Sequence, residues 1–265
     1  MMRAVRRSLA CAVLVVVCFV CAIAHGHAQQ PQPAQGKFNV TPTRLVLRPN
    51  ETSTSLLLKN EAAETLRFQV TAFAWTNAID GEMQLAPTKD VVFFPALFTI
   101  APGQTRRVRV ATSERATTHE RAYRLIVEQL PSRAGPRVEG GVEMLTRLNV
   151  PLFLEPGTRV AQATLDHVAL RDGALTFDVH NTGTIHVRLD EIVVKGLSRE
   201  GASAHEQRVS GWYLLPGETR LYQLPLEPQV CRALASVVVT TTFAQMPGQT
   251  LEERAAVDAG ACKAP

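Results

Sequence analysis

The chain has 265 residues, 46% of them hydrophobic, with 28 basic and 24 acidic side chains and a formal net charge of +4. That hydrophobic content excludes a disordered chain, and the length is enough for two domains of ordinary size, each with its own core. Three of the basic residues, Arg3, Arg6 and Arg7, lie in a leader; without them 25 basic residues face 24 acidic ones, a net of +1, so the charge gives no ground for nucleic-acid binding.

Residues 1–28 have the layout of a secretion signal. A basic head is followed by an uncharged apolar run from Leu9 to Ala24, then by small-residue cleavage sites at Ala22-Ile23-Ala24 and Gly26-His27-Ala28. Cleavage is expected after Ala24 or Ala28, with export to an oxidising compartment. No later segment is apolar enough to span a bilayer, so no stable membrane insertion is expected after cleavage. Cys11, Cys18 and Cys21 leave with the signal, and Cys231 and Cys262 remain. An even pair in an exported protein predicts a disulfide, worth about 3–4 kcal/mol in the chain-entropy model. Two free buried thiols are the alternative. A metal site is disfavoured, because no CxxC or paired His accompanies either cysteine.

Residues 29–36 (QQPQPAQG) form a Pro-rich tether too polar to pack. Strand-like runs follow: FNVTPTRLVL (38–47), SLLLKN (55–60), LRFQVTAFAW (66–75), EMQLA (82–86), VVFFPALFTIA (91–101), RRVRVAT (106–112) and AYRLIVEQLP (122–131). Asp80-Gly81 marks a hairpin and Pro102-Gly103 a turn. Arg106, Arg107 and Arg109 form a cationic run without interleaved aromatics, which suits a solvated sheet face.

The last run of this set, GGVEMLTRLNVPLFLEPG (140–157), alternates over its whole length. Val142, Met144, Leu148, Val150, Leu152 and Leu154 share one face, interrupted by Thr146. Pro151 sits inside it. A proline has no N–H for a ladder, so it marks an edge or a bulge. A long apolar edge is an aggregation hazard unless something covers it.

After a hinge near Glu155-Pro156-Gly157 comes a second set: VAQATLDHVAL (160–170), ALTFDVHNTG (174–183), HVRLDEIVVKGL (186–197), RLYQLPL (220–226) and ASVVVTTTFAQ (235–245). Short strands at this spacing, with almost no helical period, predict an all-β protein of two sandwiches, 37–156 and 157–265.

The first set resembles the PapD-like periplasmic chaperones of the chaperone–usher pathway. The resemblance rests on TPTRLVL (41–47), KN (59–60), FAW (73–75) before DG (80–81), LAPTKD (85–90), FTIAPGQTRRVRV (98–110), ERAYRLIVEQLP (120–131) and RLNVPLFLEP (147–156). The order and spacing match as well. HNTG (180–183) and WYLLPGETR (212–220) give a looser match in the second set, and the W-x4-DG hairpin and PLFLEP strand look most like the archaic, Csu-type branch. The resemblance implies two immunoglobulin-like β-sandwich domains in an L-shaped arrangement. It also implies a cleft that binds pilus or fimbrial subunits, an edge strand lent to each subunit, and delivery to an outer-membrane usher from the periplasm. It implies no cofactor.

Several residues inherit expectations from it. Arg44 matches an arginine that pairs with the subunit's terminal carboxylate, a geometry a guanidinium grips with two parallel N–H···O bonds. The family's second cleft cation falls near Pro151 here, so Arg147, the nearest cation on that strand, is nominated in its place. Val142, Met144, Leu148 and Val150 are the expected donor row, although strand alternation alone fits a face packed into the protein's own core equally well. Glu120 matches an acid of an interdomain salt bridge whose cationic partner would fall at Glu155. With an acid there, Glu120 is expected to be a surface glutamate.

No GxSxG elbow, phosphate-binding loop or zinc-hydrolase motif is present, and the histidines show no paired ligand spacing, so catalysis is not expected. A structural or adhesive exported β-sandwich is the competing reading. A pilin of that kind would carry an alternating apolar segment where residues 29–36 are rich in Gln and Pro.

Overall fold

A computed structural model of the chain describes residues 38–114, 117–131, 144–258 and 260–262. The expected signal peptide, the tether and Val142 lie outside the described residues.

Ten strands build the first sandwich: β1 (Phe38–Thr41), β2 (Leu45–Leu47), β3 (Ser53–Asn60), β4 (Leu66–Asn77), β5 (Met83–Pro87), β6 (Val91–Phe94), β7 (Leu97–Ile100), β8 (Thr105–Thr112), β9 (Arg121–Leu130) and β10 (Arg147–Leu154). One sheet has the order β1-β3-β8-β6; the other runs β2-β10-β9-β4-β5, with β7 also on β4. Two runs that read as single strands are each two. FNVTPTRLVL breaks at Pro42, so β1 and β2 join opposite sheets, and VVFFPALFTIA breaks at Pro95 in the same way. Proline withdraws a ladder donor at each break, and the chain crosses from one sheet to the other there. Between the sheets lie Leu45, Leu47, Leu56, Leu58, Phe68, Val70, Val108, Val110, Leu125, Val127, Val150, Leu152 and Leu154, all at most 4% exposed.

The second sandwich has β11 (Ala163–Arg171), β12 (Ala174–Asn181), β13 (Val187–Leu197), β14 (Ser203–Ser210), β15 (Tyr213–Leu214), β16 (Thr219–Pro225), β17 (Ser236–Phe243) and β18 (Thr250–Ala256), plus the short helix α1 (Pro228–Ala233). Its sheets are β11-β12-β16 and β14-β13-β17-β18, with β15 on β13. Its core includes Leu175, Phe177, Val179, Val187, Ile192, Val237 and Val239. Cys231 in α1 is disulfide-bonded to Cys262, as the cysteine count anticipated.

Each sandwich carries one fully buried asparagine that ties its loops. Asn60 donates to the carbonyls of Glu64 and Ile100 and accepts from Ala62 N–H. Asn181 donates to those of Ile185 and Leu214 and accepts from Gly183 N–H. In the NTG motif the glycine is dictated by space: a Cβ on Gly183 would lie 2.3 Å from the Val160 carbonyl oxygen.

A small separate cluster joins the two sandwiches. Trp75, Ala122, Phe153 and Leu215 are its buried members, with Met83, Leu85 and Tyr213 around them. Trp75 meets Tyr213 edge-on at 5.4 Å, and its Nε1 donates to Asn77 Oδ1. Burying one large side chain of this kind is worth about 1.5–3 kcal/mol. The β4–β5 hairpin clasps the second sandwich above this cluster. Both Glu218 oxygens are engaged by Asn77, through its N–H and its Nδ2, each at 2.8 Å. Leu221 N–H donates to the Ile79 carbonyl.

Candidate functional site

The site is built around β10, which has different neighbours along its length. Over the whole strand β9 pairs with it antiparallel, from Arg147↔Glu128 to Leu154↔Arg121. On its other side β2 pairs with it in parallel, but only from Leu152↔Leu45 to Leu154↔Leu47. Among the described residues no strand lies beyond β10 at residues 147–150.

Hydrogen-bond parity shows which groups face that open side. Gln129 N–H donates to the Thr146 carbonyl, so the even-numbered residues of β10 exchange bonds with β9. The odd-numbered residues point away from β9, and Glu155 N–H indeed reaches the Leu47 carbonyl of β2. The backbone N–H and C=O of Arg147 and Asn149 therefore face outward at the open edge. Pro151 is odd-numbered too. Its missing N–H falls on the outer side, where it costs no bond to β9, at the point where the cover of β2 begins.

The side chains of the alternating row divide. Val150, Leu152 and Leu154 belong to the first sandwich's own core, and Leu148 is half-buried against it. Met144 is 82% exposed, and neighbouring Leu145 is 44% exposed. The part of the row that is free in the isolated chain thus lies before Arg147, and Val150 is not free.

Arg44 stands immediately before β2, beside Pro151 in the parallel register, and is exposed. It shares with Val46 the face of β2 turned away from the core. It lines a cavity of about 320 Å³ between the sandwiches, with Glu155, Arg159, His186, Arg188 and Gln245. Arg147 is exposed and does not line that cavity. It lies four residues before Pro151 along β10, about 13 Å at strand rise, so the structure does not bring the two nominated arginines together.

Glu120 departs from expectation. It is 7% exposed, not a surface residue. Its Oε1 lies 2.7 Å from His186 Nδ1 and accepts the His186 backbone N–H, while Glu120 N–H donates to the Thr184 carbonyl. The His186 ring stacks on Phe153 at 3.9 Å. An interdomain contact is therefore made, by a histidine 66 residues away instead of a cation at 155. Glu155 has its own partner, Arg159, at 3.2 Å.

One buried cation carried no expectation. Arg124, opposite Pro151 on β9, is 3% exposed, and its Nε and Nη2 have no hydrogen-bond partner. Its guanidinium lies 3.7 Å from the Trp75 ring centre. Burial lowers its pKa, and the indole face supplies the compensating attraction. Across the sheet, Arg44, Pro151 and Arg124 form one row on the face turned toward the second sandwich.

Residues 37–159 match the family model described as pili and flagellar-assembly chaperone, PapD N-terminal domain. That match spans the whole of the first sandwich. The two sandwiches together are similar in fold to several solved chaperones. A complex of the chaperone CsuC with the tip adhesion subunit CsuE, from the archaic Csu pili of Acinetobacter baumannii, is 17% identical. It has a TM-score of 0.57, over 81% of this chain and 97% of that one. The class 5 fimbriae chaperone CfaA is 11% identical, with a TM-score of 0.55 over 82% and 98%. The SafB chaperone, solved with the SafA pilin of Salmonella enterica, is 12% identical, with a TM-score of 0.53 over 84% and 98%. At these identities the likeness is one of fold. No curated protein matches the chain.

Proposed function

We propose that this protein is a periplasmic pilus-assembly chaperone of the archaic, Csu-type branch. It binds pilus or fimbrial subunits by lending them a strand, and delivers them to an outer-membrane usher. Residues 1–28 act as the export signal and 29–36 as a tether. Residues 37–156 form the subunit-binding domain, and 157–265 the second sandwich.

The observation that carries this reading is the open edge of β10 at residues 147–150, ending beside Arg44 where β2 begins. Outward N–H and C=O groups give main-chain affinity for an added strand. Met144 and the residues before it supply apolar side chains for the partner's groove. Arg44 has no partner among the described residues and takes the subunit's terminal carboxylate. Nothing in the cycle calls for a cofactor: binding and release are exchanges of strand pairing.

Tagged protein recovered from the periplasm should carry a small pilus subunit, and Arg44→Ala should abolish that recovery without lowering the thermal midpoint. Removing a charge-assisted contact to a desolvated carboxylate costs about 2–5 kcal/mol. Recovery of no subunit would sink the chaperone reading, and an undiminished yield from Arg44→Ala would sink the anchor.

A further inference from the structure

The cavity beside Arg44 is richer in hydrogen-bond donors than one arginine makes it. Its charged lining residues include Arg44, Arg159, Arg188 and one carboxylate, Glu155. One Glu155 oxygen and the Gln245 amide oxygen are already engaged. Glu155 Oε1 lies on Arg159 Nε, and Gln245 Oε1 accepts Arg188 N–H at 2.7 Å. Three guanidiniums against one carboxylate leave the balance of charge in the lining cationic.

The three arginines differ in what they have left to give. Arg188 is held by Asp190 through both Nε, at 3.3 Å, and Nη2, at 2.9 Å. Arg159 is held through Nε alone, and its Nη1 and Nη2 have no partner among the described residues. That end of a guanidinium matches the two oxygens of a carboxylate. Arg159 is held from a firm base. Glu155 closes β10, its N–H bonded to the Leu47 carbonyl at 2.8 Å, and its side chain is only 9% exposed.

We propose that Arg159 is the second cation of the carboxylate site and that Glu155 is its positioning residue. The inference rests on the reading of Arg44 as the carboxylate anchor. It accounts for the acid at 155: there it aims an arginine from the following loop at the cavity, and leaves Glu120 to His186. Arg147 has no part in it.

The test uses two probes, the peptide acetyl-Val-Thr-Val-Tyr with a free carboxylate and the same peptide as its C-terminal amide. Each is titrated into the full exported protein, followed by the backbone amide signals of residues 44–47 and 155–159. The wild type should bind the carboxylate form about tenfold tighter than the amide. Arg159→Gln should cut that preference about fivefold, with Arg159→Lys restoring part of it. Glu155→Gln should cut it as well, and Arg147→Gln should leave it unchanged. A preference lost in Arg44→Gln but intact in Arg159→Gln overturns this inference alone. No preference in the wild type, or one that survives Arg44→Gln, overturns the anchor reading and the inference together. Because the readout is a ratio between two probes on one protein, a general loss of folded material does not imitate it.

Discussion

Glu120 Oε1 lies 2.7 Å from His186 Nδ1 and 3.1 Å from the His186 backbone nitrogen, so one oxygen of the first sandwich holds a side chain and a main chain of the second. Both side chains are almost wholly excluded from solvent, 1% exposed for Glu120 and 7% for His186. Glu120→Ala would strip His186 of two contacts in a dry site. The expected loss is about 2–4 kcal/mol, with Glu120→Gln losing less because an amide oxygen can still accept. Urea unfolding of the two variants measures it. An unchanged midpoint in Glu120→Ala would mean that the aromatic cluster alone holds the sandwiches together.

The division of the β10 row predicts opposite outcomes for one kind of change. Met144→Asp places a charge on an 82% exposed side chain, so the free protein's thermal midpoint should hold while subunit recovery is lost. Val150→Asp buries an unpaired carboxylate in the protein's own core, where Val150 is 4% exposed, and should unfold the first sandwich. Loss of stability in Met144→Asp would show that this residue too belongs to the chain's own core.

Cys231 and Cys262 close a loop of 31 residues that ties α1 to the segment after β18. Replacing both with serine should cost about 3–4 kcal/mol in the chain-entropy model. The reduced wild type should shift by a similar amount in the same denaturant titration. Equal stability with and without reductant would contradict this.

Two of the three tyrosines should ionise late. Burial is the main cause that pushes Tyr123 up to about 12, and burial raises Tyr222 as well. A raised acid pKa in the fold means that the folded state keeps a proton the unfolded state gives up. Tyr123 therefore contributes stability in full below about pH 10. That contribution is lost as the pH climbs from there toward 12. Absorbance of tyrosinate at alkaline pH should show a late step that Tyr123→Phe diminishes and that Tyr222 continues to supply in part. A single step for all three tyrosines near 10 in the folded protein would refute the assignment.

Alternation made β10 legible as a strand, and Pro151 made it legible as an edge, because each leaves a local mark. Which residues of the row are the chain's own core left no such mark. Val150 and Met144 differ only in whether β9 and the opposite sheet reach them, and a period of two is the same whoever covers the face. Glu120 was misjudged for a related reason. Its partner lies 66 residues on, in a second domain, and no spacing rule connects them. Strands β14 (SAHEQRVS) and β18 (TLEERAA) were not foreseen because their alternation is largely polar, as suits outer strands of their sheet. Arg159 and Arg124 were visible as arginines. Only folding gave one a free guanidinium end in a cavity and the other an indole to lie on.

The short strand β2 has a consequence for direction. It occupies the edge of β10 from Leu152 onward and runs parallel to it, with Arg44 at its leading end. A guest strand added on the remaining edge would lie in line with β2 and halt where β2 starts. If its carboxyl terminus is what stops at Arg44, the guest must travel the same way as β2, and so parallel to β10. Its final residue would then set the alignment of every residue before it, with β2 as the end-stop from which the guest is counted back.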